Sequence, residues 1–200
     1  DAFYSPNWVS KQREETVTRL MQRLTKTKDI DLLLAVGTQA GQDFANNKHT
    51  TPTMVLTASD PISSGIIKSI EDSGFENVHA TIDPKRYERQ IRIFHEIVNF
   101  KNLGMFFEDS VNGRSFSAID IVQKIANERN FKVSICYSFD ERIDDTKIRD
   151  DSVRKCMNEL LDQKVDAIYI TQQNGVNSKT LPDIVKIAST HHIPTFSQAG

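Results

Sequence analysis

Five short polar clusters follow apolar runs in this chain: Gly37-Thr38-Gln39, Ser59-Asp60-Pro61, Glu108-Asp109-Ser110 with Asn112 and Arg114, Thr171-Gln172-Gln173-Asn174, and Ser197-Gln198. Their side chains suit recognition better than bond-breaking. Amides donate and accept at once, and so can read a zwitterion without imposing net charge. A carboxylate such as Asp60 or Asp109 can hold an ammonium group. Several clusters open directly onto a helical pattern, and a helix N-terminus holds a carboxylate or phosphate through its unpaired N–H groups. The candidate ligand-binding residues are therefore Thr38, Gln39, Ser59, Asp60, Asp109, Ser110, Asn112, Gln173, Asn174, Ser197 and Gln198. For any one of them helix capping is the simpler account, at ~1 kcal/mol each. The binding reading rests on their recurrence at one end of both inferred sheets.

Catalytic patterns are poorly matched. "GTQAG" lacks the Lys-Ser/Thr ending of a phosphate loop, and no GxGxxG is found. No serine sits in a GxSxG elbow, so Ser63-Ser64-Gly65 reads as the first turn of a helix. Asp60 after a strand has the position of a phospho-acceptor but no accompanying acidic pair. His191-His192 are adjacent rather than i,i+4, and a helix C-terminus explains them better than a metal does. His49, His79 and His95 are isolated. Cys136 and Cys156 lack CxxC spacing, and two buried thiols, one on a strand and one on a helix, are expected rather than a disulfide. The reading is a protein that is not an enzyme, with no catalytic residue, metal or cofactor.

The elements that must position these clusters alternate strictly. A helix over 8–26 places Val9, Val17, Leu20, Met21 and Leu24 on one face. Strands are expected at 30–36, in "TMVLTA" and in "NVHATI", with a short helix from Gln39 to Asn47. "DPISSGIIKSIEDSG" reads as a helix started by Pro61 and ended by Gly74. The helix at 84–99 carries Tyr87, Ile91, Phe94, Ile97 and Val98 on one side. Strands at 103–107, 131–137, 165–170 and 193–197 then alternate with helices at 114–129, 146–163 and 178–190. Continuous aliphatic runs such as Ala167-Ile168-Tyr169-Ile170 indicate parallel sheets covered on both faces. Ligands of such sheets bind outside the strands' carboxyl ends.

The fold class is thus α/β, with two Rossmann-like lobes of parallel sheet flanked by helices and joined by a hinge. The first lobe spans 1–82 and is incomplete, the second spans 83–195, and 196–200 begins a crossing back. Starting at Asp1 and stopping at Gly200, the chain reads as a piece of a longer protein. Hydrophobic content of 38%, charged content of 26% and a net charge of -2 suit a globular domain with a core. They offer no electrostatic case for nucleic acid, and no apolar run approaches the ~18 residues of a membrane helix, so no membrane insertion is expected in this chain.

The segments "DLLLAVGTQAG", "TPTMVLTASDPISSGIIKSIEDSG" and "VDAIYITQQNGVNSKTLPDIVKIASTHHIPTFS" resemble ABC-transporter substrate-binding proteins of the tryptophan/tyrosine-binding type, which have a type I periplasmic-binding-protein fold. Gly37-Thr38 matches the family's Gly-Thr, and Ser59-Asp60-Pro61 with Gly65 its "T-D-P-V-G-A-G". Thr171 to Asn174 falls on its "P-T-D-N", with Gln173 where the family commonly has Asp. Residues 108–113 replace its Asn-Pro-Ser loop, and one or both acids there would take the ammonium. The resemblance implies an extracytoplasmic protein that captures a small amphoteric ligand, such as an amino acid, between its lobes for an ABC permease. It also implies that the first strand and helix of lobe one, and all that follows the second hinge crossing, lie outside these residues. The alternative is a ligand-sensing module joined to the output domain of a membrane signalling receptor.

Overall fold

The computed structural model describes residues 3–5, 10–138 and 145–198, in two compact units, Asp1–Asp83 and Pro84–Gly200. Val9, expected on the first helix, lies outside the described residues.

In the first unit, α1 (Ser10–Gln22) runs into a π-helical turn, Arg23–Thr27, closed by Lys28 in the left-handed region. The strands β1 (Leu33–Val36), β2 (Thr53–Leu56) and β3 (Val78–Ala80) follow, with α2 (Thr38–Phe44) between the first two. All pair in parallel, in the order β1-β2-β3. One face packs Ala35, Val55, Val78 and Ala80 against Ile66, Ile67 and Ala45. On the other, Leu34, Val36 and Met54 are 52%, 61% and 36% exposed.

The helix expected over 60–74 is instead a series of turns. Gly65 (φ 69°) takes the left-handed conformation. Gly65 N–H donates to the Ile62 carbonyl and Ile66 N–H to that of Pro61, the bond pair that terminates a helix. Beyond it, the Ser69 hydroxyl accepts from Glu71 N–H (3.3 Å) and Asp72 N–H (3.1 Å). Short polar side chains compete with helical bonds in this way. One turn forms and stops.

In the second unit, α3 (Arg86–Val98), β4 (Asn102–Glu108), α4 (Val111–Ser117), α5 (Ile119–Arg129), β5 (Lys132–Ser138), α6 (Thr146–Asp162), β6 (Ala167–Ile170), α7 (Leu181–Thr190) and β7 (Thr195–Ser197) follow in order. The sheet order is β5-β4-β6-β7, all parallel. Phe196 and Ser197, read as the start of a crossing, belong to this sheet through β7. Leu103, Met105, Phe107 and Tyr169 pack with Ile91 and Phe94 of α3 and Ile119, Val122 and Ile125 of α5. Phe106, Ile168 and Ile170 pack with Val153, Met157 and Leu160 of α6 and Ile184 of α7. Both sheet faces are covered, as their apolar runs require.

Three details differ from expectation. The helix foreseen over 114–129 is broken by Ala118 (φ 54°) into α4 and α5. Ile97 is 76% exposed rather than on the inner face of α3. Cys136 on β5 and Cys156 on α6 are joined as a disulfide, with Cα atoms 5.5 Å apart. Their elements bring the two Cβ atoms face to face, which spacing along the chain does not reveal.

Candidate functional site

In the second sheet the chain leaves β4 for β5 on one side and returns to β6 on the other. The crevice beyond the ends of β4 and β6 is therefore the topological switch point. The clusters at 108–112 and 171–174 both lie at this end.

The tip of β6 is cross-linked to its neighbours by side chains. The Thr171 hydroxyl donates to the Phe106 carbonyl at 2.6 Å. Gln173 Nε2 donates to the same carbonyl at 2.8 Å, and its Oε1 accepts from the Ser138 hydroxyl at 2.5 Å. One glutamine thus ties the ends of β4, β5 and β6. Asn174 is half-buried, and its side chain makes no hydrogen bond among the described residues. Gly175 beside it packs so closely on α6 that an added Cβ would stand 2.5 Å from Val153 Cγ2.

At the end of β4, Ser110 caps α4, its hydroxyl accepting from Gly113 N–H at 2.9 Å. Gly113 has no room for a side chain, since a Cβ would collide with the Glu108 carbonyl oxygen. The two acids here part company: Glu108 is buried and Asp109 exposed. Asp109 makes no hydrogen bond or ion pair among the described residues. Asn112 is half-buried in the first turn of α4, and Arg114 pairs with Asp120 at 3.0 Å.

Ser197 is exposed, but Gln198 is 1% exposed. Its side-chain amide is committed within the protein. Oε1 accepts from Gln172 N–H at 2.7 Å, and Nε2 donates to the Phe116 carbonyl at 2.6 Å. Its backbone carbonyl accepts from Gln90 Nε2 at 3.2 Å and Arg86 Nη2 at 3.3 Å. Gln90 Oε1 in turn accepts from the Tyr169 hydroxyl at 2.6 Å. Burial, and secondarily Tyr87, raises the pKa of Tyr169 far above the usual phenol range, so it stays a neutral donor.

In the first unit, Thr38 is buried, and its hydroxyl oxygen accepts from Ser59 N–H at 3.1 Å, tying the tips of β1 and β2. Gln39 and Ser59 are half-buried, and their side chains make no hydrogen bond among the described residues. Asp60 behaves as a cap. Its Oδ1 accepts from Ile62 N–H (3.1 Å) and Ser63 N–H (3.0 Å), and its Oδ2 from the Ser63 hydroxyl (2.6 Å). Thr57, just before this cluster, holds φ 55°, a strained value for a β-branched residue.

Sequence reasoning missed the partners that fix the second-unit loops: Ser138, Gln90, Tyr169 and the carbonyls of Phe106 and Phe116. They lie 35 to 108 residues from the groups they hold. Cys136, Cys156 and Glu159 are close enough to suggest a metal site. With the two sulfurs bonded to each other, however, neither is a thiolate able to ligate. No described helix is long and apolar enough to cross a membrane.

The model of the ABC transporter substrate binding protein family matches residues 7–200. A protein of Clostridioides difficile called "Tyrosine-binding protein" is 24% identical over 169 residues, covering 84% of this chain and 45% of its own length. Among solved structures, a Streptococcus pneumoniae domain in complex with L-Trp aligns with a TM-score of 0.64 and 19% identity, over 93% of this chain and 60% of that one. A Rhodopseudomonas palustris solute-binding protein of an ABC transporter, in complex with 3,4-dihydroxybenzoic acid, aligns with a TM-score of 0.69 and 12% identity, over 98% and 50%. The chain therefore spans about half the length of these relatives, and the fold it shares with the solved structures is that of the type I periplasmic binding proteins.

Proposed function

This chain belongs to the ABC transporter substrate binding protein family, and from that premise we propose that it serves an ABC importer by capturing a small amphoteric ligand, first among them an aromatic amino acid. The observation that carries the proposal is the second unit's switch point, where Asp109 and Asn174 keep hydrogen-bonding capacity that no other described residue uses. Asp109 supplies a carboxylate for an ammonium, and Asn174 a donor and acceptor for a polar group beside it. Gln39 and Ser59 offer equivalent capacity at the strand ends of the first unit. Thr38, Asp60, Ser110 and Gln173 act mainly as the frame, since each already holds a backbone or side-chain group.

The proteins of this family bind solutes, and we assign this chain the same kind of role. Family members generally work outside the cytoplasm, and we place this protein there. The Cys136–Cys156 disulfide supports that placement, because such bonds persist in oxidising compartments. The partner we propose is the membrane permease of the importer.

Calorimetric titration of the purified protein with L-tyrosine and L-tryptophan tests the reading, with native mass spectrometry to identify any co-purified ligand. The expected result is saturable binding of at least one amphoteric compound, recovered unchanged after long incubation. Turnover of the bound compound, lost on substituting Asp109, would overturn it.

A further inference from the structure

Gln198 carries more connections than any ligand contact needs. It stands just past β7, buried, with five polar groups on it, from α3, from α4 and from the end of β6, where its own N–H donates to the Ile170 carbonyl at 2.9 Å. Its Oε1 receives Gln172 N–H, the amide two residues before Asn174. Its Nε2 holds the Phe116 carbonyl near the end of α4, the helix whose first turn carries Ser110 and Asn112. Its own carbonyl receives Arg86 and Gln90 from α3, the first helix of the unit. Gln90 is held in turn by Tyr169, the penultimate core residue of β6.

We propose that Gln198 is a positioning residue for the binding loops: it sets where residues 172–174 and α4 stand, without touching ligand itself. This rests on the functional reading above, in which Asn174 and Asp109 meet the ligand. A glutamine suits the task because one end must accept from an amide N–H while the other donates to a carbonyl. Neither a hydrocarbon nor an ionised acid of the same length does both. A protonated glutamic acid does, its carbonyl accepting and its O–H donating.

The test compares wild type, Gln198→Met and Gln198→Glu in the complete protein. Gln198→Met keeps the length and removes both bonds. Amide hydrogen exchange of the unliganded protein should show residues 171–174 exchanging at least about tenfold faster, while β4 and β5 keep their wild-type protection. Gln198→Glu should resemble Gln198→Met at pH 8 and return towards wild type as its buried carboxyl protonates at lower pH. Titration with L-tryptophan and L-tyrosine should show about a tenfold or greater loss of affinity in Gln198→Met, with the same acid rescue in Gln198→Glu. A merely structural residue would lower protection throughout the unit rather than at residues 171–174. Unchanged exchange at 171–174 in Gln198→Met, or unchanged affinity despite a released loop, would overturn the proposal. If neither amino acid binds wild type, that ligand class fails, and the exchange experiment still decides the role of Gln198.

Discussion

The two units answer the same sequence pattern differently. In the second, the tips of the strands are joined to each other by side chains acting over long stretches of chain: Gln173 to Phe106 and Ser138, Gln198 to Gln172 and Phe116. In the first, the corresponding residues mostly serve their own neighbourhood. Asp60 caps the turn that follows it, while the strand ends are joined by the Thr38–Ser59 bond and by the Thr81 hydroxyl donating to the Val55 carbonyl. The sheets differ in the same sense, since β6 is buried at every position while β1 alternates. Polar residues at strand ends therefore do not identify a site by type alone. Their partners decide whether they shape a loop, cap a turn or stay free for a ligand.

The comparison can be broken most forcefully in the core. Phe106 has no exposed surface, so Phe106→Ala should cost about 4 kcal/mol in urea melts. Leu34→Ala, on the open face of the first sheet, should cost less than about 1 kcal/mol in the same assay, because most of its surface already faces water. Equal costs would mean that the two sheets are buried alike in solution. Next in size is the disulfide. It closes a stretch of 20 residues, so the double Cys136→Ser, Cys156→Ser change should remove about 3 kcal/mol. Reduction should lower the melting temperature of wild type and leave the double variant unmoved.

The sharpest contrast concerns Asn174 and Asp60. On the proposed reading, in which Asn174 bonds the ligand, Asn174→Ala should weaken ligand binding by about 1–3 kcal/mol with little change in the melt. Asp60→Ala should do the reverse, costing about 1 kcal/mol of stability with affinity nearly intact. Calorimetry beside a thermal melt reads both. Affinity lost in Asp60→Ala and kept in Asn174→Ala would exchange the two assignments.

The smallest effect concerns His95, buried between Phe100 and Phe131, with no hydrogen-bond partner for Nε2 among the described residues. Burial lowers its pKa, and Arg129 and Lys101 push in the same direction. The unfolded chain then binds a proton at a pH where the folded one does not. Its contribution to stability is whole above the unfolded value of 6.5 and is lost as pH falls from there through the lower folded value. His95→Leu should remove that part of the acid slope, so the stability of wild type relative to the variant should fall between pH 7 and pH 5. Parallel curves would show that His95 does not titrate differently on folding.

The strands and their parallel sense were legible because Leu103–Phe107 and Ala167–Ile170 are unbroken apolar runs, and such runs fit only a sheet covered on both faces. The stretch 60–74 was misread because Pro61, Ile66 and Ile67 mimic a helix, while Gly65 and the serines that end it act through backbone conformation and local bonds. The break at Ala118 left no mark, since alanine is otherwise a strong helix former. The disulfide and the roles of Gln173 and Gln198 depend on which residues the sheet order brings together, 20 to 112 positions apart. The clusters could be seen in the sequence. Their wiring could not.

Gly113 gives this site a particular mutational profile. Any side chain there would drive into the Glu108 carbonyl, and one at Gly175 would press on Val153. In a saturation library scored for folding alone both positions should read almost purely as glycine, with the half-buried Asn174 and exposed Asp109 nearby tolerating many substitutions. A lineage could then change what it captures by altering those two side chains, on loops whose course the glycines keep constant. The residues that accept no change are the ones that make change elsewhere safe.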